Sequence, residues 1–176
     1  MKGQAAMEYL MTYGWAILVI VIVLAVLLFL NPFKAPETCL FQQPGFSCSD
    51  ATVPLVYADS NNNVHIAMQI SNKMGQPVKI HKVICTTVAI GDVTKDIEGT
   101  TLVSPNDLIS AGATANFVTG KLGVIDCYKD SSTAVVLSPN SQFKGVVSIW
   151  YNYENDPDEN IQRQASATLI STVLQG

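Results

Sequence analysis

Residues 2–30 read "KGQAAMEYLMTYGWAILVIVIVLAVLLFL", and this block limits the chain's options more than any other. From Tyr9 to Leu30, about 22 residues, no side chain carries a charge. At about 1.5 Å per residue a helix of that length spans about 33 Å, enough to cross a bilayer core of about 30 Å. Its surface is apolar all round, so it has no face suited to water. The block holds one acid, Glu8, and one base, Lys2. A carboxylate at the head of such a helix is costly to bury unless something pairs with it.

A secretory signal has an apolar core of about 7–15 residues and a small-x-small cleavage site behind it. This run is longer and ends in Leu30-Asn31-Pro32. That ending favours an uncleaved single-pass anchor. Asn31 and Pro32 stop the helix, because proline lacks a donor and clashes with the preceding turn. The composition then changes. "NPFKAPETCLFQQPGFSCSD" reads as a Pro/Gly-rich neck over residues 32–52.

From about Val53 to Gly176, short β-branched runs alternate with turn residues. "NVHIAMQIS" places Val64, Ile66, Met68 and Ile70 on one face. "VKIHKVICTTVAI" alternates too, with a change of phase near Lys82. The turn "NKMGQP" between them predicts an antiparallel hairpin. "TTLVSP", "DLISAGATANFVTG" and "STAVVLSP" predict further short strands. "FKGVVSIWYNY" and "RQASATLISTVL", joined by the acidic "ENDPDEN", predict a final hairpin. Six to eight strands with turns every 8–12 residues suggest an all-β head, an immunoglobulin-like antiparallel β-sandwich. A formal net charge of -4 and the lack of a basic patch argue against a nucleic-acid partner.

The four cysteines, Cys39, Cys48, Cys85 and Cys127, form no Cys-x-x-Cys pair, which weakens zinc and thioredoxin-like readings. If Lys2 stays in the cytoplasm, all four lie beyond the membrane. An even number in an exported domain favours disulfides over free thiols. Three pairings exist. Sequence proximity favours Cys39–Cys48, which would close the neck, and leaves Cys85–Cys127. Chain-entropy estimates give roughly 3 kcal/mol for the short loop and about 4 kcal/mol for the long one.

No set of residues assembles an enzyme site. Asp156, Asp158 and Glu159, with Glu154, offer hard oxygens for calcium, but the loop lacks the EF-hand glycine and its distant glutamate. A solvated hairpin tip is the favoured reading. His65 and His81 stand alone within strands. No Gly-x-Ser-x-Gly, P-loop or dinucleotide spacing occurs, so no cofactor is expected. No Asn-x-Ser/Thr sequon occurs either. Trp150, Tyr151 and Tyr153 could form a carbohydrate-binding face, but core and edge packing is favoured.

The run Lys2-Gly3-Gln4-Ala5-Ala6-Met7-Glu8-Tyr9-Leu10 resembles the processing site of archaeal type IV pilins. The resemblance covers residues 2–30 closely and the head only in general character. It implies that residues 1–3 are a leader, removed by a prepilin peptidase between Gly3 and Gln4. Residues 4–31 would then be a helix that serves first as membrane anchor and later as filament core. Glu8 becomes the fifth residue of the mature chain, where the family commonly carries glutamate. Its implied role is assembly, pairing with the new amine of Gln4 on a neighbouring subunit. If Gln4 cyclises to pyroglutamate, a backbone N–H or the hydroxyl of Tyr9 or Tyr13 would take that role. Small residues at Ala5, Ala6, Gly14, Ala16 and Ala25 would let helices approach closely. The helix lacks the glycine-rich start typical of archaellins, so the resemblance points to a pilus.

The implied partners are further copies of the chain, the peptidase, an assembly ATPase and a membrane platform protein. The implied location is the cell membrane for the precursor and the cell surface for the filament, with a role in adhesion. Two alternatives differ in class: an anchored binding domain that never polymerises, and a minor pseudopilin of a secretion or uptake assembly.

Overall fold

A computed structural model describes residues 2–30, 35–49, 54–102, 107–119, 121–158 and 160–176. The chain divides into two compact units, Met1–Ala35 and Pro36–Gly176. Among the described residues the first unit holds one helix, α1 (Lys2–Leu30). It has no proline, and its two glycines are Gly3 in the first turn and Gly14 in the interior. Its hydrogen bonds run within the helix, so the backbone needs no outside partner even in an apolar setting. Its large apolar side chains are open to the surroundings, from Leu27 at 41% exposed to Phe29 at 89%.

The second unit is all β. Its strands are β1 (Thr38–Phe41), β2 (Phe46–Cys48), β3 (Leu55–Ala58), β4 (Val64–Asn72) and β5 (Val78–Thr86). After a short 3-10 turn (Ile90–Asp92) come β6 (Thr100–Thr101), β7 (Leu108–Ile109) and β8 (Thr114–Phe117). Then follow β9 (Ile125–Tyr128), β10 (Gln142–Tyr153) and β11 (Arg163–Gln175).

The sheet closes on itself, which corrects the sandwich expectation. Hydrogen-bonded neighbours run β11, β10, β5, β9, β4 and β3, and β3 pairs with β11 again. A sandwich would leave two open sheets facing each other. Here β3 fills the gap, with Val56 beside both Val173 of β11 and Ile66 of β4. Closure into a barrel removes the free edges of the strands in this circuit. Two pairs in the circuit are parallel, β3 with β11 and β5 with β9.

Three further expectations change. The hairpin of 63–71 with 78–90 does not form. β4 pairs with β2, β3, β8 and β9, while β5 pairs with β6, β7, β9 and β10. The neck is not a separate linker, since β1 pairs with β11 and β2 with β4. "STAVVLSP" forms only isolated bridges, such as Asn63 with Val136. The final hairpin forms as read, β10 against β11 from Gln142–Thr172 to Tyr151–Arg163. The phase change near Lys82 is a bulge: Trp150 faces Lys82 and Tyr151 faces Ile80, so His81 is the extra residue. Ile80 and Val83 both point inward as a result.

The core fills the barrel with aliphatic and aromatic side chains, including Ile66, Ile70, Ile80, Phe117, Ile125, Phe143 and Leu169. Each is fully buried, and burial of a side chain this size contributes about 1.5–3 kcal/mol. A second cluster lies on the other face of β5 and β10, where Val93 and Ile97 cover Ile84, Val146 and Trp150. The Lys82 ammonium holds that covering segment by donating to the carbonyls of Lys95 and Ile97 at 2.7 and 2.6 Å.

Candidate functional site

The residues that carry the sequence argument lie at the head of α1. Gly3 and Gln4 are in its first turns, and the side chain of Gln4 lies outside the described residues. The segment Met7–Phe29, 23 residues, is long and apolar enough to cross a membrane. Glu8 is the one charged residue in it. Glu8 and Thr12 are one turn apart, as are Tyr9 and Tyr13. The Thr12 hydroxyl donates to the Glu8 carbonyl at 2.8 Å. The Tyr9 and Tyr13 rings stack with centroids 5.2 Å apart, and both side chains are more than half exposed. These four residues line one shallow recess on the helix surface. The carboxylate makes no ion pair among the described residues. The result is one polar strip on an otherwise apolar rod, able to accept a proton donor supplied by another molecule. Sequence reading found Glu8 and the tyrosines; Thr12 becomes visible as part of the strip once the helix is built.

The cysteines pair as Cys39–Cys48, with Cα atoms 6.0 Å apart, and Cys85–Cys127, with Cα atoms 4.4 Å apart. Cys85 and Cys127 are fully buried and face each other across the parallel β5:β9 pair, so this bond spans one of the barrel's joints. Cys39 in β1 and Cys48 in β2 are half-buried and join the two strands that end the hydrogen-bonded order.

The acidic tip is a turn device. Arg163 grips Asp156 with both guanidinium nitrogens, and Asp156 also accepts the Tyr153 N–H at 2.8 Å. The hydrogen bond from Arg163 holds the Asp156 carboxyl below its usual range. The same guanidinium lies 4.5 Å over the Tyr153 ring. Asp158 turns back on Asn160, accepting its N–H at 2.9 Å. Glu159 lies outside the described residues. Asp156, one of the candidate calcium ligands, is thus already engaged by Arg163. Among the described residues no group of three His, Cys, Asp or Glu side chains is arranged to hold a metal.

The aromatic run does not form one face. The strand pleat sends Trp150 into the outer cluster and Tyr151 toward the core, edge-on to Phe46 at 4.9 Å. Burial pushes the Tyr151 phenol up. The structure also joins residues that looked solitary. His65 Nδ1 stands 2.6 Å from Asp126, its Nε2 is 3.5 Å from Asp59, and its ring stacks on Tyr57. His81 Nε2 bonds the Asn152 amide oxygen. His65 thereby links β3, β4 and β9, at a joint that no local sequence signal marks.

No protein-family model matches this chain, and no curated protein matches it.

Proposed function

We propose that the chain is the structural subunit of an archaeal type IV pilus-like surface filament, polymerising through α1. One observation carries this reading. A helix apolar on every side holds a single carboxylate, Glu8, five residues after the Lys2-Gly3 pair where a prepilin peptidase would cut. Such a helix has two stable settings, lipid before assembly and copies of itself afterwards. In the second setting the carboxylate sets axial register, because a buried polar group specifies alignment by the cost of leaving it unpaired. The β unit would coat the filament as the same contact repeats from copy to copy. Its two disulfides suit an oxidising exterior. Assembly would draw on the peptidase, an ATPase and a membrane platform protein, and the filament would serve adhesion.

The test is mass spectrometry of the N-terminus in material sheared from the cell surface. A chain beginning at Gln4, or at its pyroglutamate, is the expected result. A chain that keeps Met1 and Lys2 and occurs only in membranes would sink the reading and leave an anchored binding domain. In a processed chain, Glu8→Ala is expected to abolish the sheared fraction while the precursor still accumulates in the membrane.

A further inference from the structure

We infer that the Cys39–Cys48 disulfide is a load-sharing clamp, which passes tension arriving from the helix to both lips of the barrel's seam at once. That tension follows from the filament reading; the clamp itself follows from the topology.

The seam lies between β11 and β4. Over one half of its length β3 closes it with hydrogen bonds, to Val173–Gln175 on one side and to residues 64–67 on the other. Over the other half, β1 lies along residues 167–170 of β11 and β2 lies along residues 70–72 of β4. β1 and β2 share no ladder and are the two ends of the strand order. Cys39–Cys48 is the covalent tie between them.

The chain from α1 reaches the barrel at β1. Without the disulfide, a pull on that chain meets the contacts with β11 one after another. The Thr172 N–H donates to Glu37 at 3.1 Å, then comes the ladder from Thr38–Ile170 to Phe41–Ala167. The Gln42 N–H to Ser166 at 2.9 Å follows, then the Ser166 N–H to Gln43 at 2.8 Å. Without the disulfide, this single ladder takes the pull before any of it reaches β2. With the disulfide, the second residue of β1 is tied to the last residue of β2. The pull then reaches Cys48, whose strand is bonded to β4 at Phe46–Asn72, Ser47–Ser71 and Cys48–Ile70. The Ser49 N–H adds a bond to Gln69 at 3.1 Å. The backbone link between β1 and β2 is bypassed, and the two ladders share the load.

The test is single-molecule force spectroscopy on the full chain in a nanodisc, pulled between the helix N-terminus and a click handle at exposed Ser131. The wild type is expected to open in one high-force event. The Cys39→Ser/Cys48→Ser variant is expected to show an added low-force step first. Freeing the ten residues before Phe46 would lengthen the chain by at most about 35 Å. The wild type after mild phosphine treatment provides a second measurement that needs no altered chain to fold, because Cys39–Cys48 is half-buried whereas Cys85–Cys127 is fully buried. It is expected to match the variant. Equal opening forces with no early step in either case would overturn the clamp and leave the filament reading untouched. An unprocessed N-terminus would remove the filament reading and leave the clamp standing.

Discussion

Removing the Cys85–Cys127 bond is the perturbation whose size the fold states most directly. The bond closes a loop with a sequence separation of 42, and its loss would restore about 4 kcal/mol of chain entropy to the unfolded state. The native state loses as well, since β5 and β9 are paired only at Cys85–Cys127 and Thr86–Tyr128. Alanine is the replacement of choice, because serine would bury two hydroxyls at fully buried positions. The β unit from Pro36 to Gly176 has about 140 residues. At about 2.1 cal/mol/K per residue its unfolding entropy is about 0.3 kcal/mol/K, so 4 kcal/mol lowers Tm by about 13 °C. Trp150 reports on the β unit and Trp15 stays in the helix, so guanidinium unfolding of the full chain in micelles can be followed by fluorescence. The same experiment on Cys39→Ser/Cys48→Ser is expected to cost roughly 3 kcal/mol, from a separation of only 9. A loss below about 2 kcal/mol for the long pair, or a loss smaller than that of the short pair, would refute the reasoning that this bond secures a joint of the barrel.

Gly145→Ala places a Cβ 2.4 Å from the Phe143 ring and 2.7 Å from the Thr86 carbonyl, and is expected to cost about 1–3 kcal/mol in the urea midpoint. Asn72→Ala removes a fully buried amide that donates to the carbonyls of Gln76, Ile109 and Ser110 and accepts the Met74 N–H. With those groups left unpaired, a loss of about 2–4 kcal/mol is expected by chemical denaturation. Hydrogen bonding, first from the Asn63 side chain, holds Asp59 at a pKa of about 2, against 3.8 for a free aspartate. Between those values the unfolded chain binds more protons, so this contribution is complete above about pH 4 and is lost as pH falls toward 2. Asp59→Asn is therefore expected to flatten the fall of Tm between pH 4 and pH 2, measured by circular dichroism.

Some of this architecture was legible in one dimension because its cause is local. The helix over Lys2–Leu30 follows from an uninterrupted apolar run ended by Asn31-Pro32, which needs no knowledge of what packs on it. β10 and β11 are adjacent in sequence across one turn, so their pairing is a short-range event. The lost beat of alternation at Lys82 marked the bulge, because one extra residue must reverse every later side chain. Other features were illegible for equally physical reasons. Alternation says which face of β4 turns inward and nothing about which strand lies beside it, and a turn signal between β4 and β5 does not exclude their pairing with other strands. Strands of two to four residues, as in β1, β2 and β9, are too short to show a period. The link from His65 to Asp126 spans 61 positions and exists only after β9 has been laid against β4.

By itself the sequence determined that this chain pairs an all-round apolar helix with a β-rich unit, and that one carboxylate would sit at the head of that helix. Periodicity and composition act over a few residues, and these properties need no more. Only the tertiary structure decided that the sheet closes into a barrel. Closure depends on Val56 meeting Val173 and Cys85 meeting Cys127, contacts between distant parts of the chain. No local pattern encodes a meeting of that kind, because it is selected by the shape the other strands have already made.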